Sequence, residues 1–312
     1  MLNQKKIGVV VPAYNEELLI EKTLTTIPKY VDKIIVIDDY SEDNTRNIIK
    51  KIMKKNKKIF LIEHKKNKGL GKSLINGYLK GLELEMDIIA VMAGDNQMDP
   101  NDLKEILKPI IEERVDYTKG NRLLRDDCIE KMPRYRFIGN SFLTLLTKFA
   151  TGYWHLIDPQ SGYTAISKKA LSSIKIQEMT QGYGYNADIL NMLNLGNFRV
   201  CDVPIQPVYD KEKSGIKLRS YIPRVSKLLL KLFIKRMSHK YLVREFHPLV
   251  FFYWFSIVNV LFIAFPLFIY MIINFKTFPQ TYFIIFAFSS MIGFFSFFFG
   301  MWMDMEDNRK LR

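Results

Sequence analysis

With 312 residues and 48% of them hydrophobic, the chain has room for one large domain or two smaller ones, each with an ample core. Its formal net charge of +14 is local: residues 211–246 hold eleven Lys and Arg against Glu212 and Glu245, a net +9. A basic stretch running straight into an uncharged one points to a membrane surface and anionic headgroups, and no nucleic-acid motif supports the other common partner of a basic chain. Cys128 and Cys201 form no CxxC pair, which suits a reducing compartment and argues against a zinc site.

The first residues enter a strand pattern without the long apolar region of a signal peptide, so the large domain is expected to stay in the cytoplasm. Residues 7–11 are a continuous apolar run, as in a strand buried on both faces, and Pro12 ends it. Ala13-Tyr14-Asn15-Glu16 follows, then a helix over about 17–27. A second strand over 33–37 ends in Asp38-Asp39-Tyr40-Ser41, with Ser41 or Asp43 placed to cap the next helix. A third strand over 59–62 leads through His64 and Gly69 into a helix near 73–83.

Gly69-Leu70-Gly71-Lys72-Ser73 looks like half of a phosphate loop, but Lys66 stands where the first glycine would be needed, so it reads as a glycine-softened helix entry. The apolar run 87–92 breaks at Ala93-Gly94 into a polar turn carrying Asp95, Gln97 and Asp99, and Pro100 opens a helix. Oxygen side chains on a stiff strand-end turn are what a hard divalent cation requires. A short strand near 117–118 ends in Gly120-Asn121-Arg122.

Alternating strands and helices predict an α/β fold with an open, mainly parallel sheet. Ligands then sit beyond the carboxyl ends of the strands, where 12–16, 38–41, 95–99 and 120–122 all fall. Residues 125–208 are less regular, with a turn cluster at Asp158-Pro159-Gln160-Ser161-Gly162-Tyr163. Residues 217–246 interleave Leu218, Ile222, Val225, Leu229, Leu232, Phe233 and Met237 with Lys and Arg, which predicts amphipathic helices on a membrane face, broken at Pro223. Charge is absent from 248–275 and from 277–303, two windows long enough to cross a bilayer, joined by a turn at Lys276. The expected layout is a catalytic domain at 1–210, juxtamembrane helices at 211–247, a hairpin at 248–303 and a cytoplasmic tail at 304–312. Gly293, Ser296 and Gly300 suggest a small-residue seam through which copies could associate into a homo-oligomer.

Five ordered motifs, at 11–16, 37–41, 94–100, 120–122 and 158–163, resemble the family 2 glycosyltransferases of GT-A fold. Within that family the chain looks most like the polyprenyl-phosphate glycosyltransferases, the dolichyl-phosphate mannose or glucose synthase type. The resemblance implies that Pro12, Tyr14, Glu16 and one of Asp38 or Asp39 hold the nucleoside of a nucleotide-sugar donor. It implies that Asp95 and Gln97 bind Mg²⁺ or Mn²⁺ on the diphosphate. The family usually has Asp-x-Asp here and this chain has Ala93-Gly94-Asp95, so Asp99 or water completes the shell, or the metal is held more weakly. Arg122, with Arg134 or Arg136, would grip phosphates, Asp158 would lie by a polyprenyl phosphate acceptor, and Lys217 matches a phosphate-contacting basic position.

A single displacement would invert the anomeric centre. Two rivals remain at this stage: a transferase acting on another lipid or a polysaccharide, and a non-catalytic membrane scaffold with a degenerate pocket. The processive synthases carry a Gln-x-x-Arg-Trp type motif that residues 177–185 lack, and Ala93 is the scaffold's only support.

Overall fold

The computed structural model describes residues 2–124, 134–182, 184–206, 218–274 and 279–312. They form two compact units, Met1–Phe233 with Leu311–Arg312, and Ile234–Lys310.

The first unit is built on a seven-stranded sheet. Its strands are β1 (Ile7–Ala13), β2 (Lys33–Asp38), β3 (Ile59–Glu63), β4 (Ile88–Val91), β5 (Tyr117–Asn121), β6 (Thr164–Ser167) and β7 (Val200–Pro204), in the spatial order β3-β2-β1-β4-β6-β5-β7. Every pairing is parallel except those of β6 with β4 and β5. The expected mainly parallel α/β sheet is therefore present, with one reversed strand.

All seven residues of β1 are buried because helices cover both faces, and that is why the strand reads as an unbroken apolar run. Val9 and Val11 join the core under α1 (Ile20–Thr26), α2 (Thr45–Lys55) and α4 (Leu103–Ile111). Val10 joins the opposite core with Leu74, Ile75 and Tyr78 of α3 (Leu70–Glu83). At Gly77 a Cβ would fall 2.3 Å from Val10 Cγ1, so only glycine lets α3 lie this close to the sheet.

Three boundaries differ from the sequence expectation. α1 starts late because residues 16–19 make a tighter turn, in which Leu19 N and Ile20 N both donate to Glu16 O at 3.1 and 2.9 Å. α3 begins at Leu70, with Gly71 N donating to Gln181 O at 2.9 Å. A Cβ at Gly71 would meet Thr180 O at 2.3 Å, so this glycine serves the approach of the 180–181 backbone. The third is α8 (Leu218–Arg236), which runs through Pro223 without the expected break. Proline early in a helix forfeits one backbone bond, to the carbonyl four residues back.

The remaining helices of this unit are α5 (Arg134–Thr151), α6 (Lys168–Ser173) and α7 (Tyr185–Leu195). Val225, Leu229 and Leu232 of α8 pack with Ala150 of α5 and Ala187 of α7. One stripe of the amphipathic helix is thus committed to the first unit, while Arg224, Lys227, Leu230 and Lys231 stay exposed.

In the second unit, a π-helical segment (Met237–Arg244) precedes two helices long and apolar enough to cross a membrane, α9 (Leu249–Ile273) and α10 (Gln280–Asp307, its helical run continuing to Leu311). The expected turn at Lys276 lies outside the described residues. A π-helical stretch at Val260–Ala264 precedes Pro266 and accommodates its missing N–H. Within the hairpin Ser256 Oγ donates to Gly293 O at 2.8 Å, and Ser289 bonds Asn259. Gly293, Ser296 and Gly300 are buried, with Val260, Phe252 and Tyr253 of α9 against the two glycines. The small-residue stripe expected to join copies is therefore occupied by the chain's own helix.

Candidate functional site

The parallel pairings bring the carboxyl ends of β1, β2 and β4 to one edge, β5 is turned the same way by the two antiparallel pairings of β6, and the segment before β6 reaches that edge because Thr164 pairs with both Val91 and Lys119. Side chains stitch the loops together there. Asn15 N donates to Ser41 Oγ at 3.0 Å, Glu16 N to Thr45 Oγ1 at 2.7 Å, and Glu42 N to Asn15 Oδ1 at 2.9 Å, tying the first loop to the second. Gly94 N donates to Pro12 O at 3.1 Å, and Thr23 Oγ1 to Gly94 O at 3.0 Å, tying the first to the third. Tyr163 OH donates to Asp99 O at 3.1 Å, and Gly120 N to Tyr163 O at 2.7 Å, joining the last two.

Asn15, Tyr40 and Asn96 have φ of 56°, 68° and 55°, so a non-glycine residue sits in the left-handed region in each of three adjoining loops. Such strain persists only where the surroundings over-determine the backbone.

The sequence-predicted residues fall as follows. Pro12 is buried at the end of β1, Tyr14 is exposed beside it, and Glu16 is half-buried with its N–H on Thr45. Asp38 and Asp39 are both buried and internally engaged. Arg46 Nε donates to Asp38 Oδ2 at 3.0 Å, while Asp38 Oδ1 has no partner among the described residues. Asp39 accepts from Lys68 N and Gly69 N, each at 2.8 Å, and pairs with His64 Nδ1 at 2.7 Å. His64 Nε2 meets Asn76 Nδ2 at 2.7 Å, which fixes the tautomer carrying its proton on Nδ1. Asp43 does not cap α2 in the usual sense; its Oδ1 accepts from Thr45 N at 3.0 Å and its Oδ2 from Glu17 N at 3.1 Å, which with the Thr45 hydroxyl holds its carboxyl below the usual range against the effect of burial.

In the third loop Asp95 Oδ1 accepts from Gln97 N at 3.1 Å. Asp99 Oδ1 accepts from Asn101 N at 2.8 Å and caps the 3-10 turn Pro100–Asp102, which commits one of its oxygens. Among the described residues no three His, Cys, Asp or Glu cluster as a metal site. The donors at the strand end, the Asp95 carboxylate and the Gln97 amide oxygen, are of the kind a hard cation takes, and any other positions would have to come from a ligand or water.

Arg122 grips Asp158 with both arms of its fork, Nε to Oδ2 at 2.8 Å and Nη2 to Oδ1 at 3.3 Å. The carboxylate is 6% exposed and the guanidinium side chain 42%, so one partner is sealed and the other is open to solvent. Arg134 and Arg136 open α5, where only the backbone is described, and Lys217 lies outside the described residues.

Sequence reasoning missed His64, Lys119, Asn186 and Asp202, which brace these loops from below. Lys119, wholly buried, carried the one available signal: a charged residue inside a strand that neighbours bury on both sides.

The Glycosyl transferase family 2 pattern matches residues 8–175, which is more than half of the chain. A UDP-N-acetylglucosamine–dolichyl-phosphate N-acetylglucosaminyltransferase of Methanococcus voltae is 32% identical over 66% of this chain and 86% of its own. An undecaprenyl-phosphate mannosyltransferase of Micrococcus luteus is 25% identical over 64% of this chain and 82% of its own. Among solved structures, glucosyl-3-phosphoglycerate synthase from Mycobacterium tuberculosis with Mn²⁺, UDP-glucose and phosphoglyceric acid aligns at TM-score 0.57 and 18% identity, covering 75% of this chain and 80% of that one, a likeness of fold. The chain belongs to glycosyl transferase family 2.

Proposed function

We propose that the protein moves one hexose or N-acetylhexosamine from a UDP- or GDP-sugar to a polyprenyl phosphate, with inversion, at the cytoplasmic face of a membrane. The observation that carries this reading is the single edge at which the nucleotide loops, the Asp95 turn and the Arg122–Asp158 pair meet, in a chain with two bilayer-length apolar helices. The relatives from Methanococcus voltae and Micrococcus luteus, named for dolichyl and undecaprenyl phosphate, support the acceptor class.

In this reading Pro12, Tyr14 and Glu16 wall the nucleoside pocket, and Asp39, clamped by His64 and two amides, sets its floor. Asp95 and Gln97 would hold Mg²⁺ or Mn²⁺ against the donor diphosphate, and the bound cation would offset charge developing on the leaving group. The metal in the solved relative supports that expectation. Arg122 binds the acceptor phosphate. A guanidinium has five N–H donors, and Asp158 fixes its plane from behind. A monoester phosphate is already ionised near neutral pH, its second pKa being about 6, so attack on the anomeric carbon requires no strong base. The exposed Arg224, Lys227 and Lys231, flanking Leu230 on α8, supply a surface for anionic headgroups.

The test is purified protein with labelled UDP-N-acetylglucosamine, UDP-glucose or GDP-mannose, polyprenyl phosphate, and Mn²⁺ or Mg²⁺. An organic-extractable sugar lipid of inverted anomeric configuration is expected with one donor. No lipid-linked product with any donor overturns the reading.

A further inference from the structure

Lys119 lies at the centre of β5 with no exposed surface. Burying an ammonium is costly unless something is gained from its charge, and a methionine would fill the same space without that cost. Its Nζ donates to Ser161 O at 2.7 Å and to Asn186 Oδ1 at 3.2 Å. Asn186 Nδ2 in turn donates to Gln160 O at 3.0 Å. Two residues on, Asn121 Nδ2 donates to Asp202 Oδ2 at 2.7 Å, and the same oxygen accepts from Ile157 N at 2.7 Å. Arg122 then grips Asp158 itself.

Residues 119–122, directly or through Asn186 and Asp202, thus fasten the 157–161 segment at four of its five residues. Three fastenings are polar side chains acting on backbone, and only the fourth reaches the carboxylate of Asp158.

We propose that Lys119 is a positioning residue, whose buried ammonium holds the 157–161 segment so that Asp158 presents Arg122 to the acceptor phosphate. The idea rests on the reading of Arg122 as the acceptor-phosphate ligand. Lys119 does not touch substrate; it acts through Ser161, Asn186 and the pair beyond them. Asp158, Asp202 and Arg122 are the charged groups whose fields it feels, and burial pulls its pKa down to about 8, which leaves it mostly charged at neutral pH.

The experiment compares wild type, Lys119→Met and Asn186→Ala, each as the full chain in detergent. Amide hydrogen exchange is followed at 157–161 and in β1–β4, with the Kd for UDP and GDP in the presence of Mn²⁺ and kcat/KM for polyprenyl phosphate.

In Lys119→Met, exchange at 157–161 is expected to rise about tenfold or more, with β1–β4 and the nucleotide Kd unchanged, because the charge-assisted bonds lost run to Ser161 and to Asn186, which itself holds Gln160. The acceptor kcat/KM is expected to fall about 10- to 100-fold. Asn186→Ala should reproduce the pattern more weakly, and it decides the matter if Lys119→Met fails to fold. Unchanged exchange at 157–161, or nucleotide affinity lost in the same proportion as turnover, overturns the proposal. A wild type that transfers no sugar would instead sink the proposed function, and the exchange measurement would still decide what Lys119 does.

Discussion

Among the described residues two arginine–aspartate pairs are two-pronged, Arg122 side-on through Nε and Nη2 and Arg236 end-on through Nη1 and Nη2, and their surroundings are opposite. Arg122 and Asp158 meet at 2.8 and 3.3 Å with the arginine 42% exposed. Arg236 and Asp304 meet at 2.6 and 2.8 Å with both side chains sealed from solvent. The sealed fork is reinforced by Tyr241 OH, which donates to Asp304 Oδ1 at 2.9 Å, and by Asn308 Nδ2, which donates to the same oxygen at 2.9 Å. Lys240 and Asp307 form a second ion pair beside it at 2.9 Å.

A charge left partly in water can exchange its partner for a ligand at little cost. One sealed in a network cannot, since each broken bond strands a charge. The first fork keeps that freedom, which is what the proposed phosphate role of Arg122 requires, and the second ties Arg236 to Asp304 inside the second unit.

The comparison can be broken first at the sealed pair. Arg236→Met strands Asp304 and is expected to cost about 3–5 kcal/mol, seen as lost monodisperse yield and a lowered melting temperature in detergent. Pairing it with Asp304→Leu should return much of that stability, since two apolar groups replace two charges. If the single variant melts like wild type, the fork is not structural.

A large effect of the other kind belongs to Asp95→Ala, which is expected to abolish turnover, about 10³-fold or more, while leaving the melting temperature in place. Unchanged activity in that variant would refute its metal role. Next comes Arg122→Lys, which keeps the charge but loses the fork. Activity should drop about 10- to 100-fold, chiefly through the acceptor, and stability should move by about 1 kcal/mol or less because the arginine is half in water. A stability loss matching that of Arg236→Met would erase the distinction between the two pairs.

What the sequence discloses follows the same division. The residues 7–11 run, the break at Ala93-Gly94 and the uncharged windows are local patterns, and local patterns are what periodicity and turn chemistry can read. The edge at which the motifs meet followed from strand order, because parallel strands place their carboxyl ends together.

Long-range partnerships had no such signal. Arg122 and Asp158 stand 36 residues apart, and Arg236 and Asp304 stand 68 apart. Asp304 is the first residue after the uncharged window, and its burial shows only in the fold, where α10 continues to Asp307. The partners of His64 are Asp39 and Asn76, which only the fold brings to it. Gly71 resembled a phosphate-loop glycine, and its reason lies in a backbone more than a hundred residues downstream.

The smallest expected effect separates the two buried cations. Arg236 keeps its charge at every accessible pH, as arginine does in proteins, whereas Lys119 is pulled down to about 8 by burial. In the unfolded chain a lysine titrates near about 10.4. Between those values the unfolded state binds more protons than the folded one, so this group makes folding more favourable as pH rises, by up to about 1.4 kcal/mol per pH unit. Below about 8 both states are protonated and the contribution is flat. Unfolding of wild type and Lys119→Met by denaturant at pH 7, 8, 9 and 10 should therefore show the wild type gaining on the variant only above pH 8. A difference that stays constant across the series would mean that water reaches the Lys119 ammonium, and Arg236 and Lys119 would then not be alike in being sealed.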